Sequence, residues 1–220
     1  ARFAAVTNLP VILGIFHNPT FIYGNDHAFP ERFGDEGFFR GEGEYQPMRP
    51  GQHQWQTNFV PDLSKFKLRK WSKRGAGGSN MMFVLADGTM HAHCSEMPVG
   101  TYKKAHRHDA GAHIFCVTGK GYSLLWLEGQ DPTDTVRVDW WPGVLFAPPD
   151  GPTYHQHFNI ANGQSRYYVL GFGSRRYPVF DKRKAVVQAA DTDIKKGGIQ
   201  VEYGDEDPRI LEFFERECER

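Results

Sequence analysis

Four of the ten histidines fall in two tight pairs, His106-Arg107-His108 and His155-Gln156-His157. On a β-strand, residues two apart project from one face, so both imidazoles of a pair can reach one ion. Gly100 precedes the first pair, and Gly119 and Gly121 follow the next apolar run. Gly143, Pro149 and Gly151 precede the second pair, and Asn159 follows it. If the two strands are neighbours in one barrel, three imidazoles can converge on one ion inside it. Neutral imidazole suits Fe, Mn, Ni, Cu or Zn, whereas Ca or Mg would want more oxygen ligands. Three neutral histidines leave a divalent site at about +2. Such an ion acidifies bound water and favours an anionic oxygen chelate: catecholate-like, β-diketonate or 2-hydroxy-acid.

The elements that must position these side chains lie in the most periodic region, residues 81–173. Short runs rich in Val, Phe, Tyr, Trp and Leu recur at 81–85, 114–118, 122–127, 136–141, 144–147 and 166–172. Turn signals separate them, among them Pro98-Val99-Gly100, Gly119-Lys120-Gly121, Pro142-Gly143 and Pro148-Pro149-Asp150-Gly151; Asp87-Gly88 is another. Many short strands at such spacing predict an antiparallel sandwich or barrel. The first 75 residues carry Phe16, Phe21, Phe29, Phe33, Phe38, Phe39 and Tyr45 among many Gly and Pro, without a clean helical period. They predict an extended arm that packs by its aromatics on its own barrel or a neighbour's. Residues 70–80 form a polar, Gly-rich turn or linker, the barrel spans 76–180, and 181–220 form a C-terminal extension. In that extension Asp207 as N-cap and Pro208 as first helical residue predict a helix over 209–219, with Ile210, Phe213 and Phe214 as its apolar stripe. Arg2–Val6 weakly echoes Arg166–Leu170. Unless that is chance, residues 2–16 are the last strand of an upstream barrel.

Composition excludes several function classes. The 26 Lys+Arg balance 26 Asp+Glu, so no basic excess exists to neutralise a polyanion, and no nucleic-acid partner is expected. No apolar run approaches the roughly 18–20 residues that span a bilayer, so no membrane partner is expected. Ala1 to Phe16 lacks the charged start and small-residue cleavage site of a signal peptide. The three cysteines, Cys94, Cys116 and Cys218, show no CxxC spacing and do not suggest a disulfide framework. A reducing compartment and a cytoplasmic location are the expectation. The glycines of Gly119-Lys120-Gly121 predict a hairpin turn, since no helix follows to make a phosphate cradle.

The spacing Gly100-x5-His106-x-His108, closed by Gly119, resembles the first motif of the cupin superfamily. Gly143-x5-Pro149-x-Gly151-x3-His155-x3-Asn159 resembles its second, with one residue more before the histidine. The matching stretch is residues 80–175, under half of the chain. The resemblance implies an all-β cupin (double-stranded β-helix, jelly-roll) barrel, here with the extended N-terminal arm and a short C-terminal helix. Where cupins usually carry a glutamate, seven residues before Gly119, this chain has Ala112. In that respect, and in its second His-x-His pair, it resembles the C-terminal barrel of gentisate/salicylate 1,2-dioxygenase-like bicupins. The resemblance implies His106, His108 and His155 as metal ligands and His157 as a catalytic residue touching substrate or oxygen. It implies Fe(II) as cofactor, with Mn, Ni, Zn or Cu as alternatives. It further implies O₂ and a small anionic chelating molecule as partners, and a homo-oligomer, a dimer. The expected activity is oxidative carbon–carbon cleavage by a dioxygenase. A non-redox isomerase or lyase, or a cupin that binds a small molecule without turning it over, are the alternatives.

Several positions leave questions for the fold. The dioxygenases hold an arginine for the substrate carboxylate where this chain has Ile114; Arg166, Lys103, Lys104 or Arg107 are the candidate replacements. Strand alternation turns His113 away if Ala112 points inward, whereas a one-residue bulge would make His113 a fourth ligand. Glu96 is a candidate inward carboxylate. His91 and His93 share a strand face as surface or core residues. Tyr102, Tyr154, Gln156 and Trp126 are expected to pack rather than react.

Overall fold

The computed structural model describes residues 3–26, 36–49, 52–75, 77–85, 90–108, 112–131, 133–149, 151–172 and 191–219. Strands dominate it. In chain order they are β1 (Glu44–Arg49), β2 (Gln52–Thr57), β3 (Arg69–Lys70), β4 (Ser79–Leu85), β5 (Met90–Met97), β6 (Ala112–Thr118), β7 (Gly121–Leu127), β8 (Val136–Trp140), β9 (Leu145–Phe146), β10 (Thr153–Asn159) and β11 (Ser165–Phe172). The larger sheet runs β1-β2-β4-β5-β11-β6-β9, with β3 also paired to β4. The smaller runs β10-β7-β8. The strands of the barrel pair antiparallel, and β2 joins β4 in parallel.

Irregular segments widen the smaller sheet. Tyr102 bridges Phe158, His106 bridges both His155 and Gln200, and Arg107 N–H donates to the Ile199 carbonyl. The first histidine pair therefore sits in a strand-like segment beside β10, which carries the second.

Period-two alternation sends one residue set between the sheets. Met97, Ala112, Ile114, Cys116, Tyr167 and Val169 of the larger sheet cluster with Trp140 of the smaller. The opposite set is covered from outside. Met81, Phe83, Ala92, Cys94, Tyr168 and Leu170 lie under Trp55, Val60, Leu63, Phe66 and Leu68. Tyr122, Leu124 and Phe158 lie under Ile210 and Phe214 of the C-terminal helix Pro208–Cys218. That helix starts as expected: Asp207 accepts from Arg209 N–H at 2.9 Å, and Pro208 needs no partner for a missing donor.

Two motif residues act through the backbone. Gly119 has φ +80°, and a Cβ there would stand 2.0 Å from Ser165 Oγ. The turn between β6 and β7 thus requires glycine. Asn159, fully buried, donates through Nδ2 to the carbonyls of Pro98 (2.8 Å), Gly163 (3.0 Å) and Met97 (3.2 Å), and its Oδ1 accepts from Ala161 N–H at 3.0 Å. It ties the end of β5 to the loop between β10 and β11.

The N-terminal residues depart from the expectation of an extended arm. Leu9–Phe16 and Pro19–Tyr23 are helices, and Glu44–Arg49 with Gln52–Thr57 is a hairpin added to the larger sheet. Leu9–Phe16 shows no helical period because it is apolar on every side; none of its residues is buried. The helix also overturns the reading of residues 2–16 as a strand: prolines at 10 and 19 each open a helical turn, where φ near −65° is already set. Residues 1 and 2, Phe29, Phe33 and the turn at Asp87-Gly88 lie outside the described residues. No helix among the described residues is long and apolar enough to cross a membrane.

Candidate metal centre

β10 is buried along its whole length, and alternation points Thr153, His155, His157 and Asn159 between the sheets. The neighbouring segment is held by reciprocal bonds, His106 N–H to the His155 carbonyl (3.1 Å) and His155 N–H to the His106 carbonyl (2.8 Å). These bonds bring the His106 and His155 rings to 4.3 Å between centroids, with His108 4.9 Å from His155. His106, His108 and His155 each offer a ligand atom, and the three atoms lie within 4.8 Å of one another. His106 and His155 are buried and His108 is partly exposed, so the group has a closed side and an open one.

The donor chemistry fits a metal ion. Burial, then repulsion from Arg74, pushes the His106 pKa well below its ordinary value; burial, then His108, does the same for His155. Neutral imidazole is the form that ligates a metal. His106 Nδ1 lies 3.0 Å from the Lys104 carbonyl, which can only accept, so the proton is on Nδ1 and the lone pair on Nε2. His155 Nδ1 is a buried polar atom without a hydrogen bond. An imidazole left so is what an ion would satisfy.

His157 lies beside this group, 5.5 Å from the His155 ring and 6.3 Å from that of His106. Its Nδ1 is 2.7 Å from Ser123 Oγ, which accepts from Trp140 Nε1–H at 3.1 Å. An indole nitrogen only donates. The serine hydrogen therefore goes to His157 Nδ1, since otherwise a buried hydroxyl would be unpaired, and the imidazole proton lies on Nε2. Burial, with Lys103 and Arg74 next, lowers the His157 pKa to about 3. His157 is thus a neutral, oriented donor packed between Tyr167 and Phe146.

The other candidates separate by face. Ala112 points inward and His113 is exposed, since β6 keeps its register with β11 from Ala112 to Cys116. His113 is no part of the group. Glu96 is bound to Arg166 on the outer side, where Arg166 also donates to the Phe66 carbonyl at 3.0 Å. Glu96 is therefore no inward carboxylate and Arg166 no substitute for the missing arginine. Lys104 is paired with Glu202, and Arg107 with Glu128 over the Tyr154 ring. Of the four cations considered from sequence, Lys103 alone is inward, 2% exposed. Tyr102 donates to Glu206, Gln156 donates to Glu206 and the Lys103 carbonyl, and Trp126 stacks on Tyr154, all in packing roles. Sequence reasoning missed Arg74. It lies in the Gly-rich segment read as a linker, and its charge reaches His106, His155, His157 and Lys103.

No family model and no curated protein matches the sequence. Similar solved structures include a cupin-2 domain from Rhodospirillum rubrum: 16% identity, 63% of this chain, 94% of that one, TM-score 0.42. KdgF from a Halomonas species has 19% identity over 55% of this chain and 97% of its own, TM-score 0.39. The Cnp3 cupin domain of Schizosaccharomyces pombe has 14% identity over 60% of this chain and 83% of its own, TM-score 0.40. None of these three reaches a TM-score of 0.5; the chain's own strand order and register define its barrel. The chain is an all-β barrel of two sheets, and three histidines between them form a group that could hold a metal ion.

Proposed function

We propose that this protein is a metal-dependent cupin oxidoreductase, a dioxygenase that cleaves a carbon–carbon bond of a chelating anionic substrate. The observation that carries the reading is the convergence of His106, His108 and His155, three imidazoles without a carboxylate among them. Bound there, Fe(II) would supply the redox chemistry with O₂ that no side chain of this protein can perform. The residues do the rest. His106, His108 and His155 would hold the ion, and the partly exposed side of His108 would admit substrate. His157 offers its Nε2 proton to an oxygen of the bound substrate, its ring held by Trp140 and Ser123. Phe146, Tyr167 and Trp140 exclude water around that donor and strengthen its hydrogen bond. The same reading makes the protein a cytoplasmic dimer, joined through its aromatic-rich N-terminal residues; the unburied apolar helix Leu9–Phe16 supports this.

Elemental analysis of anaerobically purified protein beside a His106→Ala variant tests the proposal. About one iron per chain, lost in the variant, is the expected result, followed by oxygen uptake with hydroxylated aromatic acids or diketones. Manganese, nickel or zinc in its place, with no oxygen uptake, would move the assignment to a non-redox isomerase or lyase. Absence of metal from both proteins would leave a ligand-binding barrel.

A further inference from the structure

The segment that carries His106 and His108 is not the edge of its sheet. In an antiparallel ladder, alternate residues turn their backbone groups to opposite neighbours. His106 exchanges both of its bonds with His155 of β10. Its two chain neighbours face the other way. The Ala105 carbonyl accepts from Val201 N–H at 2.9 Å, and Arg107 N–H donates to the Ile199 carbonyl at 3.2 Å. Gln200 stands across from His106. A further turn backs Gln200: its N–H donates to the Thr192 carbonyl (3.1 Å), and its carbonyl accepts from Ile194 N–H (2.8 Å). Two of the three candidate ligands thus sit on a segment clamped between β10 and residues 199–201 of the C-terminal extension.

Side chains tighten the clamp. Gln200 is 1% exposed, and its Nε2 donates to Glu202 Oε1 (2.9 Å) and to the Lys73 carbonyl (3.1 Å). The next carbonyl, of Arg74, accepts from Lys104 N–H at 2.8 Å. Glu202 in turn binds the Lys104 ammonium. Lys104 is the residue whose carbonyl accepts from His106 Nδ1. The C-terminal extension therefore holds the residue that orients the His106 ring, as well as the backbone on either side of that histidine. Without residues 199–201 the carbonyl of buried Ala105 and the N–H of Arg107 would lose these partners, and the ligand-bearing segment would become a sheet edge.

We infer, resting on the metal-centre reading, that residues 199–202 are a positioning element of that centre: their docking against residues 104–107 and the uptake of an ion by His106, His108 and His155 stabilise each other. Coupling of this kind is reciprocal, so what docking adds to metal affinity, the metal adds to docking. Groups that orient a ligating imidazole are typically worth about ten- to a hundredfold in metal affinity. Here they come from a segment that belongs to neither histidine motif.

Cobalt(II) is the probe, titrated into the metal-free full chain and followed by its visible absorption. The variants are Gln200→Ala, His106→Ala and Phe66→Leu, the last a packing change against Trp55 and Phe83 on the outer face of the larger sheet. Gln200→Ala should bind cobalt about tenfold more weakly and with altered absorption bands. Phe66→Leu should lower the melting temperature yet keep the wild-type affinity and spectrum. Hydrogen exchange of the wild type reads the reciprocal effect. Cobalt should slow exchange across residues 192–206 and leave β4 as it was, and His106→Ala should abolish the slowing. That measurement decides alone if Gln200→Ala does not fold. Equal cobalt affinity in Gln200→Ala and wild type, or exchange at 192–206 that cobalt does not alter, would overturn the inference and leave the metal centre standing. No cobalt uptake by the wild type would overturn the metal reading and the positioning element together.

Discussion

At the scale of single residues, the site is a problem of proton placement. An unfolded histidine takes up a proton near its ordinary pKa of 6.5, whereas His157 in the fold stays neutral down to about 3. Between those values the unfolded chain binds more protons than the native one, so stability rises with pH across the window. The contribution of His157 is complete above 6.5 and is lost as pH falls through the window toward 3. The slope expected from one such group is about 1.4 kcal/mol per pH unit. His106 and His155 shift in the same direction from burial and charge repulsion. Denaturant unfolding of metal-free protein over about pH 4–7 should therefore show stability falling with acid, and His157→Gln should flatten the curve by about one group's worth. An unchanged slope would mean that the ring is solvated. Lys103 follows the same sign on the alkaline side: burial first, then Arg74, brings it to about 8 from 10.5, so stability rises with pH across that window. A lysine so placed costs the native state stability at neutral pH.

At the scale of elements, the barrel depends on what covers its two outer faces and on the turns that set register. The C-terminal helix contributes Ile210 and Phe214 to the cluster over Tyr122, Leu124 and Phe158. Phe214→Ala opens a cavity there and should cost about 3–5 kcal/mol by urea unfolding. A much smaller loss would mean that the helix is not needed to close that face of β10, the strand that presents His155 and His157. Asn159→Ala should cost about 3 kcal/mol or more, because three carbonyls and the Ala161 amide lose a buried partner at once. The same variant should loosen the β10–β11 turn, and faster amide exchange at residues 159–165 with slow exchange kept in β5 would record it. If exchange is unaltered, the asparagine is not the lock described here. The hairpin β1–β2 was not foreseen from sequence, since Glu, Gln and Pro dominate its residues and its place on the sheet edge is a long-range choice.

At the scale of the whole molecule, two covers and an exposed apolar end define its shape. Leu9–Phe16 leaves Val11, Ile15 and Phe16 at 45%, 64% and 50% exposure, an unusual state for a wholly apolar helix. The proposed dimer would cover it. Sedimentation should report two copies for the natural chain and one for Ile15→Asp with Phe16→Asp; a single copy in both would remove the dimer from the proposal. The strands that were expected from alternation and turn residues formed close to their expected limits, as did the C-terminal helix, because period, caps and glycine turns act within a few residues. By itself the sequence determined the histidine pairs, their shared strand faces and the turns that surround them. Only the tertiary structure decided that His106 stands across from His155, that Ser123 and Trp140 set the His157 proton, and that Glu96 is bound to Arg166. Those three outcomes depend on pairing between segments tens of residues apart, and local periodicity carries no information on register.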